Sequence, residues 1–326
     1  MNKKIKIAFI YKQNCVFLTG SFFANAYYHF FMNALKRNNK IDVEYFPTGN
    51  SFDISTLKNN YDIILLSDNT PYGTPDEILG IKDSDIPVIS RVNDPHWAKK
   101  EKSVQYHEKY KINYYFGYMH ESYFHHFYPK QFKFRTIVYG LEPSLYQNLI
   151  PYNNRIKGRI LNSGTIGNLK THSRIINTIR NPASNSYKHY KLRTLCTKLP
   201  YVDYTPTLEH EYVNDKFPQL LSKYAASIAA TTYFPTIRYW EIPAAGCLTF
   251  MEITDKNKGN YLGYKDGETA IFINENNYKK KFEEYLNDIN NPKWEQIAIA
   301  GKNYALQELN NDKAVDSLVN LMEELL

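Results

Sequence analysis

Short apolar strands separated by helical or loop sequence predict an α/β fold with two doubly wound, mostly parallel sheets. Three observations carry that expectation. Strands such as Tyr61–Ser67 are apolar nearly throughout, as strands buried on both faces must be. The segments between strands are crossovers, which parallel pairing requires. The pattern halts at the polar Pro151–Gly158 and then restarts, so 326 residues divide into two domains.

In chain order, Lys4–Tyr11 reads as the opening strand and Phe22–Lys36 carries a helix. Strands follow at Ile41–Phe46, Tyr61–Ser67, Ile86–Val92, Asn113–Met119 and Arg135–Tyr139. Past the boundary come strand Arg159–Ser163 and helix Lys170–Ile179, then a weakly periodic stretch from Asn181 to Pro218. A helix near Val213–Lys223, strand Ala226–Thr231, helix Arg238–Gly246 and strands Leu248–Glu252 and Ala270–Ile273 precede the closing helices. No internal repeat is visible. The expected domains are residues 1–152 and 153–308, with a final helix in 309–326 packing across both.

Hydrophobic residues make up 43% of the chain, enough for an ordinary interior. No run approaches the roughly 18 apolar residues that span a bilayer. Met1-Asn-Lys-Lys-Ile-Lys leads straight into a strand pattern instead of a signal-peptide core. Cys15, Cys196 and Cys247 are scattered, which argues against a disulfide framework or zinc site and for a reducing cytoplasm. The net charge of +7 favours anionic partners such as nucleotide phosphates or the inner face of an anionic membrane. The 29 tyrosines are spread along the chain and not gathered in a basic stripe, so nucleic acid is not favoured.

Chemistry concentrates at strand-to-helix loops, where doubly wound sheets bind ligands. In Arg238-Tyr-Trp-Glu-Ile-Pro-Ala-Ala-Gly246, Arg238 and Glu241 lie one turn apart and share a helix face, while Gly246 ends the helix. A surface ion pair is the plain alternative. Leu161-Asn-Ser-Gly-Thr-Ile-Gly-Asn-Leu-Lys170 follows a strand and opens a helix, a geometry that favours an anion. Gly164 sits in its turn, and Lys170 and Arg174 are four residues apart. Asp94-Pro-His96-Trp97 follows the fourth strand of the first half, where an imidazole or carboxylate would serve as general base. An Asx-Pro turn with packed rings explains it equally well. Arg91 on that strand, and Gly20 and Ser21 in the loop after the first strand, are further candidates. A plain N-cap by Ser21 is as good a reading. Asp83-Ser-Asp85 precedes a strand in polar sequence and reads as a turn. His120, His125 and His126 lack an accompanying carboxylate pair, so no metal site is expected. No GxxxxGK[ST] motif and no GxGxxG after the first strand is present.

The stretch Thr236-Ile-Arg-Tyr-Trp-Glu-Ile-Pro-Ala-Ala-Gly-Cys-Leu248 resembles the C-terminal signature of GT-B glycosyltransferases. It is most similar to the CgeB-like and glycosyltransferase group 1 families. The loop with Gly259 and Gly263, Asp266-Gly-Glu-Thr-Ala-Ile-Phe272, Asn291-Pro292 and Ile297-Ala-Ile-Ala-Gly301 follow in the same order. Similarity covers Leu220–Gly301 well and Arg159–Ile179 less well; across the first half it is architectural. The resemblance implies two Rossmann-like domains flanking a cleft. It also implies metal-independent transfer, without a cofactor, of a sugar from a UDP- or GDP-type donor to a hydroxyl of a polysaccharide, glycolipid or other glycoconjugate.

By that resemblance Glu241 holds the donor ribose and Arg238 lies near its diphosphate, with Gly164, Lys170, Arg174 and Gly246 completing the donor side. Asp94 or His96 takes the acceptor proton, and Gly20, Ser21, Arg91 and Tyr233 line the cleft. Related retaining families carry two glutamates separated by seven residues. Tyr233 occupies the first of those positions and supplies no carboxylate, so retention is expected without its usual first glutamate. Two alternatives stand: a nucleotide-sugar epimerase on the same scaffold, or a relative that binds nucleotide sugar without turnover.

Overall fold

The computed structural model describes residues 3–13, 25–57, 60–68, 73–92, 95, 100–168, 172, 176, 179, 185–206 and 216–326, the side chains of 25–30 and 100–102 aside. The chain forms two compact units, Met1–Gly140 with Asn311–Leu326 and Leu141–Asn310.

Unit 1 contains strands β1 (Ile5–Lys12), β2 (Ile41–Thr48), β3 (Ser51–Asp53), β4 (Ile63–Leu66), β5 (Glu77–Leu79), β6 (Val88–Arg91), β7 (Ile112–Gly117) and β8 (Phe134–Thr136). Six of them form one parallel sheet in the order β2-β1-β4-β6-β7-β8. β4 and β6 are buried at every position, which accounts for the unbroken apolar sequence of β4, Ile-Ile-Leu-Leu; in β6 the buried Ser90 and Arg91 follow Val88 and Ile89. The small parallel pair β3–β5 was not expected, because strands this short carry no periodic signal. Asp83 ends a single 3-10 turn, Ile81–Asp83, and Ser84 Oγ accepts the Ile86 N–H at 3.1 Å, so the DxD segment is a turn leading into β6.

Unit 2 contains β9 (Ile156–Ser163), β10 (Val202–Thr205), β11 (Tyr224–Ala229), β12 (Leu248–Glu252) and β13 (Ile271–Ile273), paired in parallel in the order β10-β9-β11-β12-β13. Its core joins Ile160, Ile228, Leu248, Phe250, Phe282 and Trp294. The weakly periodic stretch resolves into helices Ser186–His189 and Lys191–Cys196 and the edge strand β10, with residues 207–215 outside the described residues. Each element is too short to show a period. Of the expected helix Lys170–Ile179, the described His172, Ile176 and Ile179 are helical.

The division between units falls at Gly140–Leu141, ahead of the polar Pro151–Gly158. Packing explains the difference. Tyr152 joins the core of unit 2, and Arg155 donates to the carbonyls of Ile150 at 2.8 Å and Gly246 at 2.8 Å. The closing helix Asn311–Glu323 belongs to unit 1. It buries Ala314, Val315, Leu318, Val319 and Met322, and Asn311 Oδ1 accepts the Gly140 N–H at 2.7 Å. Its ion pairs Arg37–Asp312 and Arg135–Glu324 are partly exposed and add little beside that burial. No helix among the described residues is long and apolar enough to cross a membrane.

The carboxyl ends of β11 and β12 are tied together by two buried side chains. Tyr239 Oη accepts the Thr231 N–H at 2.9 Å and donates to the Glu252 carbonyl at 3.0 Å. Asn257, with no exposed surface, donates to the carbonyls of Thr231 at 3.0 Å and Glu252 at 2.6 Å. Its Oδ1 accepts the N–H groups of Thr254 and Gly259, each at 3.0 Å. These bonds satisfy backbone groups that the sheet ladder leaves behind. Asn257→Ala is expected to cost the transition that unfolds unit 2 about 3 kcal/mol, because several buried groups lose partners together. Chemical denaturation followed by tryptophan fluorescence checks this; an unchanged midpoint would contradict it.

Candidate functional site

β9 ends in Asn162 and Ser163, both fully buried, and the chain then turns at Gly164, whose φ is 112°. Gly164 donates its N–H to the Thr205 carbonyl at 3.0 Å, and Gly167 donates to Thr194 Oγ at 2.8 Å. The loop after β9 is thereby fastened to β10 and to the helix Lys191–Cys196. A Cβ on Gly167 would lie 2.4 Å from the Tyr187 Cα, so only glycine permits this approach.

That closure brings Arg193 to the carboxyl edge of the sheet. Arg193 is 3% exposed and donates through Nη1 to the Thr165 carbonyl at 3.2 Å. Its guanidinium carbon lies 4.9 Å from the centre of the Tyr190 ring. Nε and Nη2 are buried without a hydrogen-bond partner. Burial pulls its pKa down, Tyr190 opposes that, and the nearby Arg238 charge lowers it further. A buried guanidinium with idle donors is costly, and native sites retain one where an anion completes it. Ser163 Oγ and Thr232 Oγ, at the ends of β9 and β11, are also buried without partners.

Glu252 ends β12 with 4% exposure, and its Oε2 has no partner. Burial pushes its carboxyl up to about 7; the Glu275 charge adds to the shift, and Arg193, Lys256 and Lys191 oppose it. Lys191 is already engaged with Glu275 at 2.5 Å, and the Lys256 ammonium stands 4.6 Å from the centre of the Tyr233 ring. The His189 ring meets Tyr233 edge-on at 5.0 Å, and the Thr232 N–H donates to the His189 carbonyl at 2.8 Å. The residues after β11, β12 and β13 thus form one polar cluster.

Arg238 and Glu241 do meet, but not on the surface. Their side chains are 8% and 7% exposed and form a direct ion pair within the helix Arg238–Ala244. The Arg238 guanidinium carbon lies 3.7 Å from the centre of the Phe217 ring. Burial raises the Glu241 pKa, and Arg238 opposes the rise. The alternative of a surface ion pair is therefore replaced by a desolvated pair, in which losing one partner strands a buried charge.

Other expected site residues land elsewhere. Gly246 caps the same helix at φ 74° beside Arg155, at the amino end of β12 and so away from the carboxyl edge. It ends a helix; its place is not that of a donor contact. Arg91, in unit 1, is buried and fully invested. It donates to the Ser67 carbonyl at 2.9 Å, Tyr139 Oη at 2.8 Å and Asp68 Oδ2 at 3.2 Å. Gly20, Ser21, Asp94, His96, Lys170 and Arg174 lie outside the described residues. The sequence reading missed Arg193 and Glu252. A polar residue closing an apolar strand was the one signal available for Glu252.

Glu252 makes stability depend on pH. Its carboxyl has a value of 4.5 when free and about 7 when folded, so the folded state keeps a proton that the unfolded state releases in that window. The stabilisation is complete below the free value and is lost as pH rises through the folded one, on the order of 3 kcal/mol in all. Glu252→Gln should therefore match the wild type near pH 4.5 and melt at a higher temperature near pH 8. Thermal melts across that range check it; a gap that does not widen with pH would contradict the burial of this charge.

The architecture matches solved structures. A glycosyltransferase from Rickettsia africae ESF-5 superposes with a TM-score of 0.53 at 11% identity, over 99% of this chain and 98% of the other. Sucrose-phosphate synthase from Thermosynechococcus elongatus gives 0.54 at 9% identity, over 99% of each chain. HepE from Anabaena, solved with UDP and glucose, gives 0.52 at 14% identity, over 98% and 100%. No protein-family model and no curated protein matches the sequence. Two parallel α/β units, spanned almost end to end by these structures, give the chain the GT-B glycosyltransferase fold.

Proposed function

We propose that this protein is a glycosyltransferase whose nucleoside diphosphate sugar docks at the carboxyl edge of the second sheet. The observation that carries the reading is Arg193, a buried guanidinium with two idle donor nitrogens, Nε and Nη2, beside a second buried guanidinium, Arg238. A diphosphate fits that pair, and the fold supports this choice of anion. UDP is the first nucleotide to test, since HepE was solved with it.

In the reaction, the bond between the anomeric carbon and the β-phosphate oxygen breaks. The acceptor oxygen bonds to that carbon, and its proton passes to a base. Arg193 and Arg238 stabilise the charge gathering on the departing diphosphate, with no metal ion or cofactor in our reading. Lys170 and Arg174 are further candidates for the same task, and Gly164 sets the turn through which the loop reaches the phosphates. Glu241 holds Arg238 in place and is our candidate for the ribose hydroxyls. Asp94 and His96 are our candidates for the acceptor proton. The acceptor is a glycoconjugate hydroxyl, and the +7 charge supports work at the cytoplasmic face of an anionic membrane. Retention is the outcome we assign, tested by the anomeric coupling of the product.

Arg193→Met keeps most of the side-chain volume and removes the charge. Its loss should weaken UDP binding at least about tenfold, since hydrogen bonds to charged groups contribute ~1.5–3 kcal/mol each. Titration calorimetry with UDP and GDP checks this against a folded variant. Full-strength UDP binding by Arg193→Met would remove the site from this edge. Binding of sugar nucleotides with neither transfer nor hydrolysis would favour a non-catalytic binding protein.

A further inference from the structure

Resting on that donor-site reading, we infer that Glu252 is the residue that recognises the transferred sugar, its carboxylate accepting a hydrogen bond from a sugar hydroxyl. Glu252 closes β12 at the same edge as Arg193, and its backbone carbonyl is clamped by Tyr239 and Asn257. The side chain therefore starts from a fixed point. Oε2 is buried and unpartnered although Arg193 and Lys256 lie within electrostatic reach. Neither cation closes onto it: Arg193 donates to the Thr165 carbonyl, and Lys256 rests on the Tyr233 ring.

The ligand group that fits such a gap must donate a proton to the carboxylate and tolerate the neighbouring cations. A phosphate at neutral pH fails the first requirement and is repelled by Glu252. An ammonium fails the second. A sugar hydroxyl meets both, since it donates to Oε2 and can accept from the guanidinium. Burial makes the choice selective, because a buried acceptor left unpaired penalises a ligand without the hydroxyl. Charge thus sorts the ligand along the edge, with phosphate at Arg193 and Arg238 and sugar at Glu252.

The test separates this inference from the donor-site reading. The folded wild type and Glu252→Gln are titrated with UDP, UDP-glucose, UDP-galactose and UDP-N-acetylglucosamine. We expect UDP affinity to change less than about twofold, while the advantage of the best sugar nucleotide over UDP falls at least about tenfold. The wild-type advantage should also shrink as pH is lowered from about 8 to about 5.5, as Glu252 takes up a proton. The groups facing it across that range are Arg193, Lys191, Cys196, Tyr239, Lys256 and Glu275. This pH arm needs no variant, so it decides even if Glu252→Gln fails to fold. Equal losses for UDP and sugar nucleotides would make Glu252 structural and overturn the inference. So would an advantage that neither the substitution nor pH alters, or no advantage at all in the wild type. Absence of any nucleotide binding would overturn the donor-site reading and this inference with it.

Discussion

Burying a guanidinium costs several kcal/mol unless an opposite charge meets it. Among its described residues unit 2 buries three, with Arg193 and Arg238 at the carboxyl ends of its strands and Arg155 at the opposite edge against backbone carbonyls. Arg238 is met by Glu241. Arg193 is met by a single carbonyl, with two donor groups left over. Much of the surrounding structure sustains that arrangement. Gly164 and Gly167 fasten the loop to Thr205 and Thr194, Asn162 donates to the Arg193 carbonyl at 2.9 Å, and Tyr190 places its ring on the guanidinium. A fold that spends this much order on an incompletely paired cation is preorganised for an anion, as electrostatic catalysis requires.

Unit 1 shows what a completed cluster looks like. Arg91 and Asp68 are as deeply buried, at 5% and 0% exposure, yet each Arg91 nitrogen that donates does so to a nearby acceptor. Tyr106 adds bonds to the Asp68 carbonyl at 2.9 Å and to Ser90 Oγ at 3.2 Å. That network holds the ends of β4 and β6 and gives every guanidinium nitrogen of Arg91 an acceptor. Burial of charge alone therefore does not mark the site; idle hydrogen-bonding capacity does.

The two main sheets were largely legible: β1, β2, β4, β6 to β9 and β11 to β13 stand within a few residues of their expected places. Edge strand β10, Val-Asp-Tyr-Thr, was not, because half-exposed positions relax the demand for apolar residues. The Arg238–Glu241 pairing was legible from helical spacing, whereas its burial was not, since i,i+3 spacing is the same at the surface and in the core. Arg193 lay hidden in a six-residue helix with no period to read. Glu252 was seen only as a strand terminus; its environment comes from side chains on three other elements that the fold brings together. Gly246 was correctly placed at a helix end, but which edge of the sheet that end faces follows from topology alone.

The most direct test is a crystal structure of the protein with UDP. A diphosphate oxygen is expected at about 3 Å from Nε or Nη2 of Arg193, with Glu252 clear of the phosphates. A diphosphate bound elsewhere, with those two donors still idle, would contradict it.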